Sequence, residues 1–280
     1  MDARSPSTLA RLLNLPAMLR YLRAHRADKS VWDPADDLEL ALYGTIFGNN
    51  FLHYGYFADP AIDPETISFS HLKQAMDDYA TLLVDCVRPG ERVLDVGCGM
   101  GGLLARLDRH GAQPTGVTPN RAHAAHIKRT WPHIPLIEGT FEQVNVGAAT
   151  ELARFDAVIN SESFQYIDLD AGMKNVRALL KPAAEGGRWI NIDYFRLVPS
   201  AKNTSGHLLA DFEAACQRHG FVVRERVDVT ENVLPSLAYG RLLATRFALP
   251  LARFGSAKVF LTRPFWGYLF ADKVSATLAG

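Results

Sequence analysis

The sequence predicts an α/β fold built on a mostly parallel sheet, with helices on both faces. Three observations carry that expectation. Short apolar runs alternate with helical patterns from residue 71 to about 230, as repeated strand–helix units require. The run VLDVGCGMGG, Val93 to Gly102, leads from a buried strand through Asp95 into glycines at 97, 99, 101 and 102. With 280 residues and 48% apolar content, the chain can bury a sizeable core in one domain with additions.

Taken in order, strands fit residues 92–96, 113–118, 135–138, 156–160, 188–193 and 222–227. Each is a short apolar stretch bounded by turn residues. Helices fit 69–87, 103–110, 121–130, 171–180 and 208–219, where the apolar period lengthens. Gly186, Gly187 and Gly220 punctuate the later units as turns.

A buried strand that ends in a glycine cluster must turn tightly and admit something against its backbone. Glycine permits φ > 0 and removes the Cβ that would block the approach. The helix that follows points its first N–H groups at whatever lies over the turn. This places a nucleotide-type site at the carboxyl end of the first sheet strand. Gly97, Gly99 and Gly102 also satisfy GxGxxG, a weak dinucleotide signal when it stands alone. A dinucleotide site would want an acid closing the second strand, but that strand closes on Thr118, Pro119 and Asn120. Asp95 precedes the glycines instead. A carboxylate there repels a pyrophosphate and suits a cationic amino-acid group.

Net charge is zero, so nothing points to a nucleic-acid partner for the chain as a whole. The charge is uneven, however. Residues 1–30 hold six basic against two acidic side chains, and 241–280 hold six against one. Such basic ends suit solvated helix faces or an anionic membrane surface. Cys86, Cys98 and Cys216 have spacings that fit neither a disulfide framework nor a metal site. No apolar run reaches the roughly 18 residues of a membrane span. The acid-poor start is similar to a transit peptide, but Pro16 interrupts its helix, and a cytoplasmic location is the default expectation.

The pattern Asp95-x-Gly97-x-Gly99-x-Gly101 resembles motif I of class I S-adenosylmethionine-dependent methyltransferases. Further segments are similar to the small-molecule and sterol-type group related to cyclopropane-fatty-acid synthases, over roughly residues 40–273. GVTPN (116–120) resembles that group's second-strand end, and GTFE (139–142) its segment beside adenine. NSESFQYID (160–168) resembles its fourth-strand end, and FGNNFLHYGYF (47–57) its aromatic element over the sulfonium.

The resemblance implies a Rossmann-like seven-stranded sheet with an antiparallel seventh strand from 257–261 or 267–271, the latter within WGYLFADK. It also implies an N-terminal helical cap (1–68), a cofactor-binding core (69–230), a helical lid insert (231–264) and a final strand and tail (265–280). Leu237, Leu242, Leu243, Phe247, Leu249 and Phe254 give that insert an apolar character.

Carried onto this chain, the cofactor S-adenosyl-L-methionine would meet Asp95, Gly97, Cys98, Gly99 and Gly101 at the turn. Thr118, Asn120 and His123 would hold the ribose, where the usual acid is missing. Thr140, Phe141 and Glu142 would meet the adenine, with Phe141 stacked on it, and the Asn160–Ser161 backbone would meet the methionine part. Tyr56, Gln165 and His207 would face a small, hydrophobic or lipid-like acceptor. His53 is the first candidate base, since an ordinary imidazole titrates near the working pH; Glu162, Tyr54 and Tyr166 follow.

No metal is implied, and the oligomeric state stays open between monomer and homodimer. Two alternatives remain. A cyclopropane-synthase-like lipid modification is one, although the group's bicarbonate-holding Cys and Glu are replaced by Tyr54 and Gln165. A scaffold that keeps the cofactor fold without catalysis is the other.

Overall fold

The computed structural model describes residues 40, 44, 48–144, 154–200, 204–251 and 253–254. Helix α1 (Phe69–Val84) starts where the Ser68 hydroxyl accepts from the His71 N–H. It buries Ala75, Met76, Tyr79, Ala80 and Leu83, an apolar stripe at helical spacing. Strand β1 (Arg92–Val96) follows, then α2 (Gly102–Arg109), β2 (Gln113–Thr118), α3 (Arg121–Thr130) and β3 (Leu136–Glu138). Asn120 caps α3 by accepting from the Ala122 and His123 N–H groups. Strand β4 (Ala157–Ser161), α4 (Leu169–Leu179) and β5 (Arg188–Ile192) complete the main sheet. A two-residue pair, β6 (Phe195–Arg196) and β7 (His207–Leu208), precedes α5 (Leu209–Arg218) and α6 (Thr230–Leu243).

The five strands pair in the order β3-β2-β1-β4-β5, all parallel. The chain runs outward from β1 to β3 and then crosses back to β4. The order therefore reverses between β1 and β4, and a crevice opens outside their carboxyl ends. Alternation splits the side chains between two cores. Leu94, Val96, Val158, Met173 and Val176 pack on the face toward α4 and α5. Val93, Ala157, Ile159, Tyr79, Leu83 and Leu107 pack on the face toward α1 and α2. Burying each of the valine, leucine, isoleucine and methionine side chains among them stabilises the fold by about 1.5–3 kcal/mol before entropy is counted.

The α/β class and the parallel sheet agree with the sequence. The strand expected over 222–227 does not form. That stretch is irregular, and Val222 and Val227 are 73% and 67% exposed. Alternation supplies a strand with an apolar face but not with a partner edge, and here none is paired to it. Both candidates for an antiparallel seventh strand, 257–261 and 267–271, lie outside the described residues, as do most of 1–47 and the C-terminal part of the second basic end. No helix among the described residues is long and apolar enough to cross a membrane.

Candidate functional site

The glycine turn is built as a left-handed staircase. Gly97 and Gly101 adopt φ of +75° and +86°, a region that costs an L side chain about 1–2 kcal/mol. An added Cβ at Gly97 would overlap Ser163, whose hydroxyl donates to the Val96 carbonyl at 2.6 Å and so ties the end of β4 to the end of β1. An added Cβ at Gly101 would sit 2.9 Å from Trp131. Cys98 is buried among Leu104, Ile127 and Ile134, in keeping with packing in a tight turn.

What lies over the turn is the protein itself. Residues 49–57 form a strap across it. The Asn50 carbonyl accepts from the Gly102 N–H at 3.1 Å, so the helix start is already engaged. The Asn50 side chain meets His126 at 2.8 Å, and Leu52 covers Gly99. Further along, the strap is clasped by two helices. Tyr56 donates its N–H to Ala75 of α1, Phe57 donates to Asn232 of α6, and the Gly55 N–H meets the Ser236 hydroxyl at 2.8 Å. An added Cβ would meet the strap at both Gly99 and Gly102, at Leu52 and at Phe51 and Asn50.

Beneath the strap lies the polar constellation. His53 is buried, its ring stacked on Tyr79 with centroids 4.3 Å apart. Its Nδ1 lies 2.8 Å from the Tyr54 carbonyl, which can only accept, so Nδ1 carries the proton and Nε2 the lone pair. Burial pushes its pKa down to about 4. His53 therefore does not titrate near neutrality, as an exposed imidazole would, but stays uncharged there.

Glu162 is held in the left-handed region at φ +52°, the one described non-glycine residue with positive φ. Its Oε1 accepts from the Tyr54 N–H at 3.0 Å. Burial raises its pKa to about 7, opposed by the Tyr54 N–H and reinforced by nearby Asp193. Asp193, just past β5, accepts from the Gln165 and Tyr194 N–H groups and is itself pushed up to about 6 by burial.

Asp95 is 1% exposed, its Oδ2 has no hydrogen-bond partner among the described residues, and burial raises its pKa to about 7. The His53 Nε2, the Tyr79 hydroxyl and the Ser161 hydroxyl are likewise buried without hydrogen-bond partners among the described residues. All four belong to the α1-facing side of the sheet at its carboxyl end: Asp95 shares a face with Val93, and Ser161 with Ile159, while His53 stacks on Tyr79 of that core. Buried polar atoms are paired in the great majority of cases, so four orphans in one place call for a partner.

The other expected residues divide. Thr118 is buried, with its hydroxyl accepting from the Asn120 N–H at 3.2 Å, and Asn120 and His123 meet at 3.3 Å, so this trio forms one polar patch at the end of β2. Glu142 accepts from the Asp168 N–H, and Thr140 is exposed. Phe141, expected as a stacking platform, is instead 3% exposed and packs in the core with Val96 and Val117. Asn160 is fully buried and bonded through its side chain to Ser163 and Trp189.

Gln165 reaches back to the Glu162 carbonyl, and Tyr56 is half-buried against the α1-side core. His207, expected to face substrate, points its Nε2 at the Phe164 and Ile167 carbonyls at 3.0 and 3.1 Å, a structural role. Tyr166 is 78% exposed, away from the buried groups it was expected to join. Two members of the constellation were missed. Tyr79 passes for one more core residue of α1, though a tyrosine in such a stripe must place its hydroxyl somewhere. Asp193 closes a parallel strand at its carboxyl end, where ligands of such sheets bind.

Residues 93–183 match the methyltransferase domain family. The chain is 29% identical to the sterol 4-C-methyltransferase strm-1 of Caenorhabditis elegans over 61% of this chain and 49% of that one. It is 25% identical to the methyltransferase GfsG of Streptomyces halstedii, over 85% and 87%. It thus spans about half the length of the first curated relatives it matches. Among solved structures, geranyl diphosphate C-methyltransferase from Streptomyces coelicolor A3(2) superposes with a TM-score of 0.58 at 23% identity, covering 71% of this chain and 80% of that one. The [4+2]-cyclase SpnF gives 0.56 at 20% identity, covering 75% and 81%. Fold alone therefore leaves the reaction open; the glycine turn and the sheet order agree with the match of residues 93–183 to the methyltransferase domain family.

Proposed function

We propose that the protein transfers the methyl group of S-adenosyl-L-methionine to a small, hydrophobic or lipid-like acceptor. The observation that carries this reading is the set of four unpartnered buried polar atoms at the switch point between β1 and β4. A neutralised, unpartnered Asp95 carboxyl fits a cationic ligand group, which would return it to its charged form. In this reading Asp95 holds the methionine ammonium. Thr118, Asn120 and His123 hold the ribose, residues 139–142 flank the adenine, and the backbone at Asn160 and Ser161 lines the methionine part. When bound, the cofactor supplies an electrophilic methyl group.

The chain's own tasks are alignment, exclusion of water and removal of a proton. The strap performs the first two by closing the crevice from above. Glu162 is the preferred base, because a carboxylate that titrates at about 7 is present as the anion yet still takes a proton well. Uncharged His53 serves as a fixed acceptor through Nε2. Apolar surface on α6, with Leu234 and Leu237 half exposed, suits a hydrophobic acceptor. The same reading leaves the outer edge of β5 for an antiparallel seventh strand from 257–261 or 267–271.

Calorimetric titration with S-adenosylmethionine, its demethylated product and NAD tests the cofactor; a screen of isoprenoid, quinol, polyketide and fatty acceptors for methylated product tests the reaction. Micromolar binding of both methionine derivatives is expected. Preference for NAD, or binding of neither, overturns the proposal.

A further inference from the structure

The Tyr54 peptide joins two groups of the constellation. Its carbonyl holds the His53 Nδ1–H at 2.8 Å, and its N–H reaches the Glu162 Oε1 at 3.0 Å. His53 thereby has one tautomer: with the proton fixed on Nδ1, the lone pair belongs to Nε2. The ring is 8% exposed, stacked on Tyr79 at 18° and tilted against Phe51 with centroids 4.9 Å apart. Nε2 itself is buried without a hydrogen-bond partner among the described residues. A buried acceptor of this kind costs free energy until a donor meets it.

We infer that His53 is a specificity-determining residue, whose Nε2 accepts a hydrogen bond from a neutral hydroxyl of the acceptor molecule. This rests on the reading of the crevice as a methyl-transfer site, and it names the acceptor's polar group within that reading. An ammonium has its countercharge at Asp95, whereas an imidazole set between two aromatic rings offers a lone pair and no charge. An anionic acceptor would bring no donor to Nε2, and it would share this end of the sheet with the carboxyl groups of Glu162 and Asp193. A plain hydrocarbon would leave Nε2 unsatisfied. Burial keeps the imidazole uncharged near neutrality, so Nε2 does not become a donor there. His53 belongs to the strap, and the segment that parts to admit an acceptor therefore carries this group with it. The class that fits is an apolar alcohol or phenol, as against a phosphorylated chain.

The test uses phenol, toluene and phenyl phosphate as probes of the free full-length protein, labelled at the histidine ring nitrogens. His53→Phe, which keeps a ring over Tyr79, identifies the resonances. At neutral pH the spectrum should show His53 with a proton on Nδ1 and none on Nε2; the opposite tautomer, or an averaged pair, overturns the inference. Phenol should move the Nε2 resonance upfield and bind about fivefold to tenfold more tightly than toluene, the worth of one net hydrogen bond. Phenyl phosphate should bind more weakly than phenol. No Nε2 shift with phenol, equal affinities for phenol and toluene, or tighter binding of phenyl phosphate overturns it. In His53→Phe the preference for phenol over toluene should vanish, and a preference kept by the folded variant overturns it equally. Should that variant not fold, His53→Gln identifies the ring and the wild-type titrations decide alone. Calorimetry with S-adenosylhomocysteine reports separately on the cofactor reading, because the probes are titrated without it.

Discussion

On the α4 side of the sheet, Asn160 is fully buried and fully occupied: its Nδ2 donates to Ser163 at 3.0 Å, and its Oδ1 accepts from the Trp189 indole at 2.9 Å. On the α1 side, Asp95 is as deeply buried one strand away, and its Oδ2 has no partner. The two faces share strands, depth and low dielectric. One resembles any protein interior, where polar groups are satisfied in place. The other leaves polar atoms of Asp95, His53, Tyr79 and Ser161 without hydrogen-bond partners among the described residues, at a cost that the proposed ligand would remove. Asn191 breaks the pattern on the satisfied side, with an unpartnered Oδ1 on the outermost described strand of the sheet. The difference separates what holds the fold from what awaits a partner.

The largest expected effect falls on the hinge between the faces. Gly97→Ala adds a Cβ against Ser163 in a left-handed backbone, and should cost about 3 kcal/mol in urea unfolding. A loss under about 1 kcal/mol would mean that Ser163 moves aside, and that the faces are less firmly joined than Ser163's bond to Val96 implies.

Asn160→Ala strands the Trp189 donor and removes the donor to the Ser163 Oγ, and should cost about 2 kcal/mol. That loss should be flat from pH 5 to pH 8, since no titrating group is removed. A strong pH dependence would join the two faces into one electrostatic unit.

Asp95→Asn should do the reverse. Asp95 titrates from 3.8 when exposed to about 7 when folded, so the folded state binds its proton more tightly. Its contribution is full below about 4 and is lost as pH rises through 7. Glu162 and Asp193, raised to about 7 and 6, act in the same direction, whereas His53, lowered to about 4, favours the fold above 6.5 and loses that contribution as pH falls through 4. Asp95→Asn should therefore stabilise the ligand-free protein at pH 8, by on the order of 1–2 kcal/mol, and leave it unchanged at pH 4. It should also weaken S-adenosylhomocysteine binding about tenfold or more, read by calorimetry. Destabilisation at pH 8 would place Asp95 with the structural residues.

The smallest effect is on the strap. Ser236→Ala removes the bond to Gly55 and should speed hydrogen exchange at 54–57 with a global cost near 1 kcal/mol. Unchanged exchange there would make α6 a bystander.

Much of this was legible from the chain. The strand of 92–96 and the glycines after it are local signals, and local signals survive folding. The pairing of the strap with α6 was not legible, because it joins Gly55 to Ser236 across 181 residues through one hydroxyl. Nor was the pKa of His53: a histidine beside aromatics looks alike in sequence whether it is open or, as here, stacked and buried. The stretch 222–227 failed for a third reason, since strand character belongs to a pair of edges and only one can be read from a sequence. His207 and Phe141 were drawn toward the ligand by register alone, and packing claimed both.

The backbone at Glu162 bears on anyone who would redesign this chain. A left-handed φ of +52° suits glycine or asparagine far better than glutamate, and relaxing it is worth about 1 kcal/mol. Selection for thermal robustness alone would thus favour Glu162→Gly, and the resulting protein would melt later with the proposed proton acceptor erased. Screens for hardier variants should hold position 162 fixed, or score turnover beside melting, because here the stabler residue and the useful one are different.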